Sequence, residues 1–147
     1  MKTRNNKILQ VILLSSLIMG FSLSTVRTTE KSKYIEIEKI FNTFESGVKS
    51  KSIKEFSGYL MSEVYISLED GTASYFSASQ SYHILSDYFN QFNHMTFKFI
   101  KKEINIEKPF AVGQIKHNKN GVRGSSQIFI TLQQENGVWK ISQIIIN

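Results

Sequence analysis

The sequence predicts an α+β fold in the order α-α-β-α-β-β-β-β, three helices of its N-terminal half against a curved, mainly antiparallel sheet. Three observations predict it. Apolar residues recur with the helical period over Tyr34–Val48 and again over Ala78–Phe92. The period switches to two between those stretches, and again from Met95 onward. Two Asn-Gly dipeptides, Asn120-Gly121 and Asn136-Gly137, mark tight hairpins near the C-terminus.

A segment of a different kind stands before the first helix. Ile8–Leu23 reads ILQVILLSSLIMGFSL and carries no charge, while Lys2, Arg4 and Lys7 precede it and no acid occurs until Glu30. A positive start followed by an apolar run is the pattern of a secretory signal peptide. Ser22 and Ser24 supply small residues at −3 and −1 of a cut after Ser24. The expected organisation is a signal peptide over 1–24, a polar tether over 25–33 and one domain over 34–147. The expected destination is the periplasm or the outside of the cell. A membrane span needs about 20 apolar residues, so an uncleaved anchor is the alternative, with membrane contact through this segment alone.

Cleavage changes the charge. Removing Lys2, Arg4 and Lys7 leaves fifteen bases against twelve acids, a net of +3 in place of +6. Half of the basic excess belongs to the targeting segment, and nucleic acid is not an expected partner. The chain has no cysteine. That excludes disulfides, thiol catalysis, cysteine metal sites and acylation on cysteine. The core must therefore hold the fold alone.

Each element has its own warrant. Tyr34, Ile37, Ile40, Phe41, Phe44 and Val48 share one helix face, with Glu36, Glu38, Lys39, Asn42 and Glu45 off it. Gly47 and Lys49–Lys51 close that helix. Ser52 and Glu55 have the spacing of a capping box and open a short second helix carrying Ile53, Phe56 and Leu60. Val64, Ile66 and Leu68 then alternate with polar residues as a strand, and Asp70-Gly71 turns the chain. Ser77 and Gln80 form a second capping box. The third helix behind it gathers Ala78, Tyr82, Leu85, Tyr88, Phe89 and Phe92 on one face. Met95, Phe97 and Phe99 begin the β region. Pro109 stands just before a strand over 110–116, where a missing N–H is tolerated. Strands over 122–134 and 138–146 follow, one after each Asn-Gly turn.

The order of elements, with Val112-Gly113 inside a strand and Trp139-Lys140-Ile141 in the last one, resembles the nuclear-transport-factor-2-like superfamily. Within it the chain resembles an exported bacterial family called domain of unknown function 4783. The matching stretches are Tyr75-Phe76-Ser77, Leu85 with Asp87-Tyr88-Phe89, Gly113, Gly121 with Arg123, and Trp139 to Ile146. The resemblance implies a cone in which a strongly curved sheet wraps around the long helix and its open end often forms a pocket. It also implies frequent dimers through the sheet. It fixes no activity, because one fold hosts many functions.

Enzymes of that superfamily use a carboxylate base in the pocket beside a tyrosine or a protonated acid. The inward stripes of the first and third helices contain no Asp or Glu. Glu63 and Glu69 fall on a polar strand face, Asp70 in a turn, Glu103 and Glu107 in a polar stretch. No catalytic residue is assigned on this basis. His83 and Asp87 have i,i+4 spacing and are read as an exposed pair. His94 and His117 stand in two further places, and three scattered histidines make no metal site. No cofactor is expected. The aromatic group Tyr82, Tyr88, Phe92 and Phe97 supplies the candidate ligand-binding residues, against the reading that such a stripe is core. Lys98, Lys101, Lys102 and Lys108 form a basic cluster, read as a strand edge guarded by lysine or as a contact for lipid headgroups or a glycan. Arg123 falls by strand parity on the face opposite Ile128 and Ile130. Ile144-Ile145-Ile146 is apolar on both strand faces, which suits a sheet-to-sheet homodimer. The expected role is a non-enzymatic module that binds a small apolar or amphipathic ligand, or an envelope protein, through the cone pocket or the sheet face. The alternatives are a pocket enzyme of the isomerase or dehydratase type and a dimeric assembly protein of the envelope.

Overall fold

The helical stripe of the first element becomes one wall of the core. In the computed structural model, which describes residues 30–105 and 107–147, helix α1 runs over residues 34–50. It buries Ile37, Ile40, Phe41, Phe44 and Val48 completely, whereas Tyr34, placed by period on the same stripe, is 41% exposed. The described residues divide after Lys33, and Tyr34–Asn147 form one compact unit. Of the expected tether, residues 30–33 are helical and 25–29 lie outside the described residues, as does the whole expected signal peptide over 1–24. Among the described residues no helix is long and apolar enough to cross a membrane.

Helix α2 (Ile53–Ser57) packs back onto α1 through Ile53 and Phe56. Gly47 permits the approach: a side chain there would meet Phe56 Cδ1 at 2.6 Å and the Ser52 carbonyl oxygen at 2.9 Å. The expected Ser52–Glu55 capping box does not form, since Ser52 makes no side-chain cap bond. Glu55 instead accepts from Ser50 Oγ at 2.7 Å. Leu60 belongs to strand β1 (Leu60–Ser67), not to the helix as its spacing suggested.

The turn at Asp70-Gly71 forms, with Asp70 Oδ1 accepting from Thr72 N at 2.9 Å and Gly71 at φ +93°. It leads not directly to the third helix but into an additional strand, β2 (Ala73–Ser77), which pairs antiparallel with β1. This strand has no apolar face: every residue but the half-buried Phe76 is exposed, so no period of two marks it. Helix α3 (Ala78–Asn90) follows, and its capping box is complete in both directions between Ser77 and Gln80. It buries Ser81, Leu85, Tyr88 and Phe89.

Strands β3 (His94–Glu103), β4 (Phe110–Lys119), β5 (Val122–Glu135) and β6 (Val138–Ile146) complete one six-stranded sheet, in the order β2-β1-β6-β5-β4-β3. All neighbours are antiparallel except β1 and β6, which are parallel. Both Asn-Gly turns have positive φ at each residue, as two-residue hairpins with the right twist require. Bulges interrupt β3 at Ile100, between Phe99 and Lys101, and β6 at Ser142, opposite Thr131 and Leu132, and bulges bend and twist a strand. The concave face carries Ala111, Ile115, Ile128, Ile130, Leu132, Ile141, Ile144 and Ile146, all buried against the helices. The fold is thus the α+β cone expected, with one strand more.

Candidate functional site

Inside the cone, aromatic rings fill the space between α1 and β3. Phe44 lies 4.7 Å from Phe56 and 6.1 Å from Phe97, centroid to centroid, and Phe41 meets Phe99 edge-on at 5.9 Å. Of the candidate ligand residues, Tyr88, Phe92 and Phe97 are buried in this core and Tyr82 is half-buried against it. Among the described residues Ser81 and Ser126 are polar side chains buried with them, while Ser142 is buried beside the groove of the outer face.

One polar chain crosses the interior. Tyr88 OH donates to Glu69 Oε2 at 3.5 Å, and Ser126 lies near the same phenol. Burial, then the nearby Glu69 charge, pushes the Tyr88 phenol up to about 12. Ser126 Oγ lies 3.4 Å from His117 Nε2, and the Phe92 ring stacks on the imidazole at 4.2 Å. His117 Nδ1 is buried and has no hydrogen-bond partner among the described residues. The chain ends at Glu69, an exposed residue, so it offers a donor held by a carboxylate rather than a base facing a cavity.

The polar surface groups converge outside. The register of β3, β4 and β5 sets nine outward side chains in a three-by-three lattice: His94, Asn118, Arg123; Thr96, Lys116, Ser125; Lys98, Gln114, Gln127. Their inward neighbours Phe97, Ile115, Ser126 and Ile128 are buried, which fixes the outward sense of the set. The first two rows line a concavity of about 610 Å³, and Lys98 with Gln114 lines a smaller one of about 250 Å³ that shares Thr96 and Lys116. None of Lys98, Lys116 and Arg123 has an ion-pair partner among the described residues.

The expected basic cluster divides on the bulge in β3. Lys102 turns toward α1, donating to Asn42 Oδ1 at 2.6 Å with its ammonium 5.2 Å from the Phe99 ring. Lys101 pairs with Glu103 at 3.9 Å and lies over Phe110. Only Lys98 stays in the lattice, where Lys116 and Arg123 join it. Arg123 faces outward as parity predicted. The two-residue turn at Asn120-Gly121 sets Lys119 opposite Val122, hence Asn118 opposite Arg123 and Lys116 opposite Ser125. That much follows from the sequence by counting back from the turn. The position of Lys98 does not, because β3 reaches β4 through a longer connection and a bulge.

The histidines are less scattered than expected. His94 and His117 border the same concavity, because Met95 pairs with His117 across β3 and β4. They point to opposite faces, and among the described residues no group of three or more His, Asp or Glu is arranged to hold a metal. His83 and Asp87 are both exposed and form no ion pair; His83 lies edge-on to Tyr82 at 5.3 Å. At the far end of the outer face, Tyr65 and Tyr75 pair in register with rings 5.2 Å apart. They border a groove of about 320 Å³ with Glu63, Gln133 and Gln143.

Comparison with known proteins places this geometry. Residues 37–147 match the profile of the domain of unknown function DUF4783. Among solved structures, a DUF4783 family protein from Bacteroides uniformis superposes with a TM-score of 0.62 at 14% identity, covering 72% of this chain and 94% of its own. A DUF4783 family protein from Bacteroides ovatus gives 0.60 at 17% identity, covering 71% and 90%. A putative scytalone dehydratase from Novosphingobium aromaticivorans gives 0.63 at 13% identity, covering 82% and 87%. No curated protein matches the sequence. With three quarters of its length matched by that profile, and with the nuclear-transport-factor-2-like cone of these relatives, the chain belongs to the DUF4783 family.

Proposed function

We propose that this chain is an exported, non-enzymatic binding module that meets its ligand or partner on the outer face of its sheet. One observation carries the reading. The cone interior is occupied by Phe41, Phe44, Phe56, Phe89, Phe92 and Phe97, while concavities lined by polar side chains open on the convex side of the strands. Ligand sites combine a concave surface with a few convergent polar groups, and the outer face supplies both.

A pocket enzyme is the second reading. The Tyr88–Glu69 pair favours it, because a tyrosine beside a carboxylate is the type of donor that stabilises an oxyanion. Among the described residues no Asp or Glu is buried in the cone interior to serve as the base that such chemistry requires.

The test is to purify the mature protein from its native cell fraction and identify its N-terminus and any bound molecule by mass spectrometry. Hydrogen exchange with and without that molecule then maps the contact. Protection on the outward residues of β1 to β6 supports the outer-face reading. Protection confined to α3 and the inward strand positions around Tyr88 overturns it in favour of the pocket. An N-terminus at Met1 in the cytosolic fraction overturns export.

A further inference from the structure

We propose that the outward lattice on β3, β4 and β5 binds a linear acidic polysaccharide, a chain bearing carboxylate or sulfate groups along its length. The proposal deepens the binding-module reading and rests on it.

The lattice concentrates charge that the domain as a whole lacks. Residues 34–147 hold twelve Lys and Arg against eleven Asp and Glu, a net of only +1. The nine lattice positions take three of the bases, Lys98, Lys116 and Arg123, and none of the acids. Guarding an exposed edge explains lysine on β3, which ends the sheet. It does not explain Lys116 or Arg123, which lie on interior strands. Among the described residues no carboxylate pairs with any of the three. A ligand that brings negative charge accounts for the arrangement.

The geometry selects the kind of anion. Lys98 pairs with Gln114, two residues from Lys116; Lys116 pairs with Ser125, two residues from Arg123. The three cations therefore stand on one diagonal across the strands, each about 7–8 Å from the next. Such a row fits a chain with repeated negative groups better than one compact ion. The remaining side chains are His94, Thr96, Gln114, Asn118, Ser125 and Gln127, hydroxyls and amides above all, whose donors and acceptors match sugar hydroxyls. No Phe, Tyr or Trp is present on which the bases of single-stranded nucleic acid would stack. No apolar side chain among the nine would enter a lipid layer.

Isothermal titration of the mature protein with a heparin-derived octasaccharide and with a galacturonate octamer tests the proposal. A DNA octamer and phosphatidylglycerol vesicles serve as comparators. The expected result is binding of at least one oligosaccharide, weakened about tenfold or more between about 50 and about 200 mM salt. The pair of substitutions Lys116→Gln and Arg123→Gln is expected to weaken it at least about tenfold, as the loss of two charge-assisted contacts requires. The pair Lys39→Gln and Lys54→Gln, equal in charge but on the helices, is expected to leave it unchanged. Circular dichroism checks that both variants fold. No binding of either oligosaccharide at low salt overturns the proposal, as does equal loss in the two variants. Tighter binding of the DNA or of the vesicles overturns the polysaccharide assignment. Hydrogen exchange separates the two levels of inference. An oligosaccharide footprint at Tyr65 and Tyr75 overturns the lattice but not the outer face, and a footprint around Tyr88 overturns both.

Discussion

At the residue scale, Gly113 and Tyr88 are the positions where a small change is most informative. Gly113 lies under the Phe97 ring: a Cβ there would come within 2.2 Å of Cε2 and 2.4 Å of Cζ. Gly113→Ala should therefore destabilise the fold by about 1–3 kcal/mol, the range for overpacking a filled core. Urea denaturation measures it. If the clash is the cause, Phe97→Leu in the same chain recovers part of the loss, a coupling seen only between residues in contact. Equal losses that simply add would overturn this account. Tyr88 gives the alkaline limb of stability. Its phenol is raised from 10.0 to about 12 by burial first and the Glu69 charge second. The folded state thus holds a proton that the unfolded chain releases at a lower pH. The resulting stability is complete below pH 10 and is lost as pH rises through 12. Tyr88→Phe, which cannot ionise, should show a shallower fall over that window by about 2 kcal/mol. Identical alkaline slopes in the two proteins would remove Tyr88 from the explanation.

At the scale of elements, the two serine caps make a matched pair. Both Ser52–Glu55 and Ser77–Gln80 have capping-box spacing, and only the second is a box. Ser77→Ala should cost about 1 kcal/mol, whereas Ser52→Ala should cost a few tenths at most. Thermal or chemical unfolding of the two variants side by side decides it, and equal costs would count against the cap geometry. The reason for the difference was not visible in the sequence. Ser50 reaches Glu55 first, at 2.7 Å, and a pattern match does not see that competitor. The same division holds for the strands. β4, β5 and β6 were legible because apolar alternation and Asn-Gly turns agree, and the turn even carries the cross-strand partners of Lys116 and Arg123. β2 was not legible, since an edge strand with both faces exposed leaves no hydrophobic period to read. The lysine cluster of β3 split for a third reason. A bulge moves Lys101 and Lys102 out of the parity that their spacing implies, and nothing local announces it.

At the scale of the molecule, the outer face divides into three bands, and the middle one is apolar. Val112, Phe129 and Ile145 stand in one row across β4, β5 and β6. The cationic lattice lies to one side and Tyr65 and Tyr75 to the other. Phe129 is 36% exposed there, although a strand facing only water needs no aromatic ring. A two-fold pairing of sheets would use such a row, each copy offering the same patch to the other. The expected outcome is that a chain of residues 25–147 self-associates as a dimer at high concentration and that Phe129→Lys makes it a monomer. Light scattering across a concentration series reads both. Because Phe129 points away from the core formed by Ile128 and Ile130, this substitution should leave the unfolding midpoint of the monomer nearly unchanged, as surface changes do. A wild-type chain that stays monomeric throughout the series overturns the sheet-to-sheet pairing.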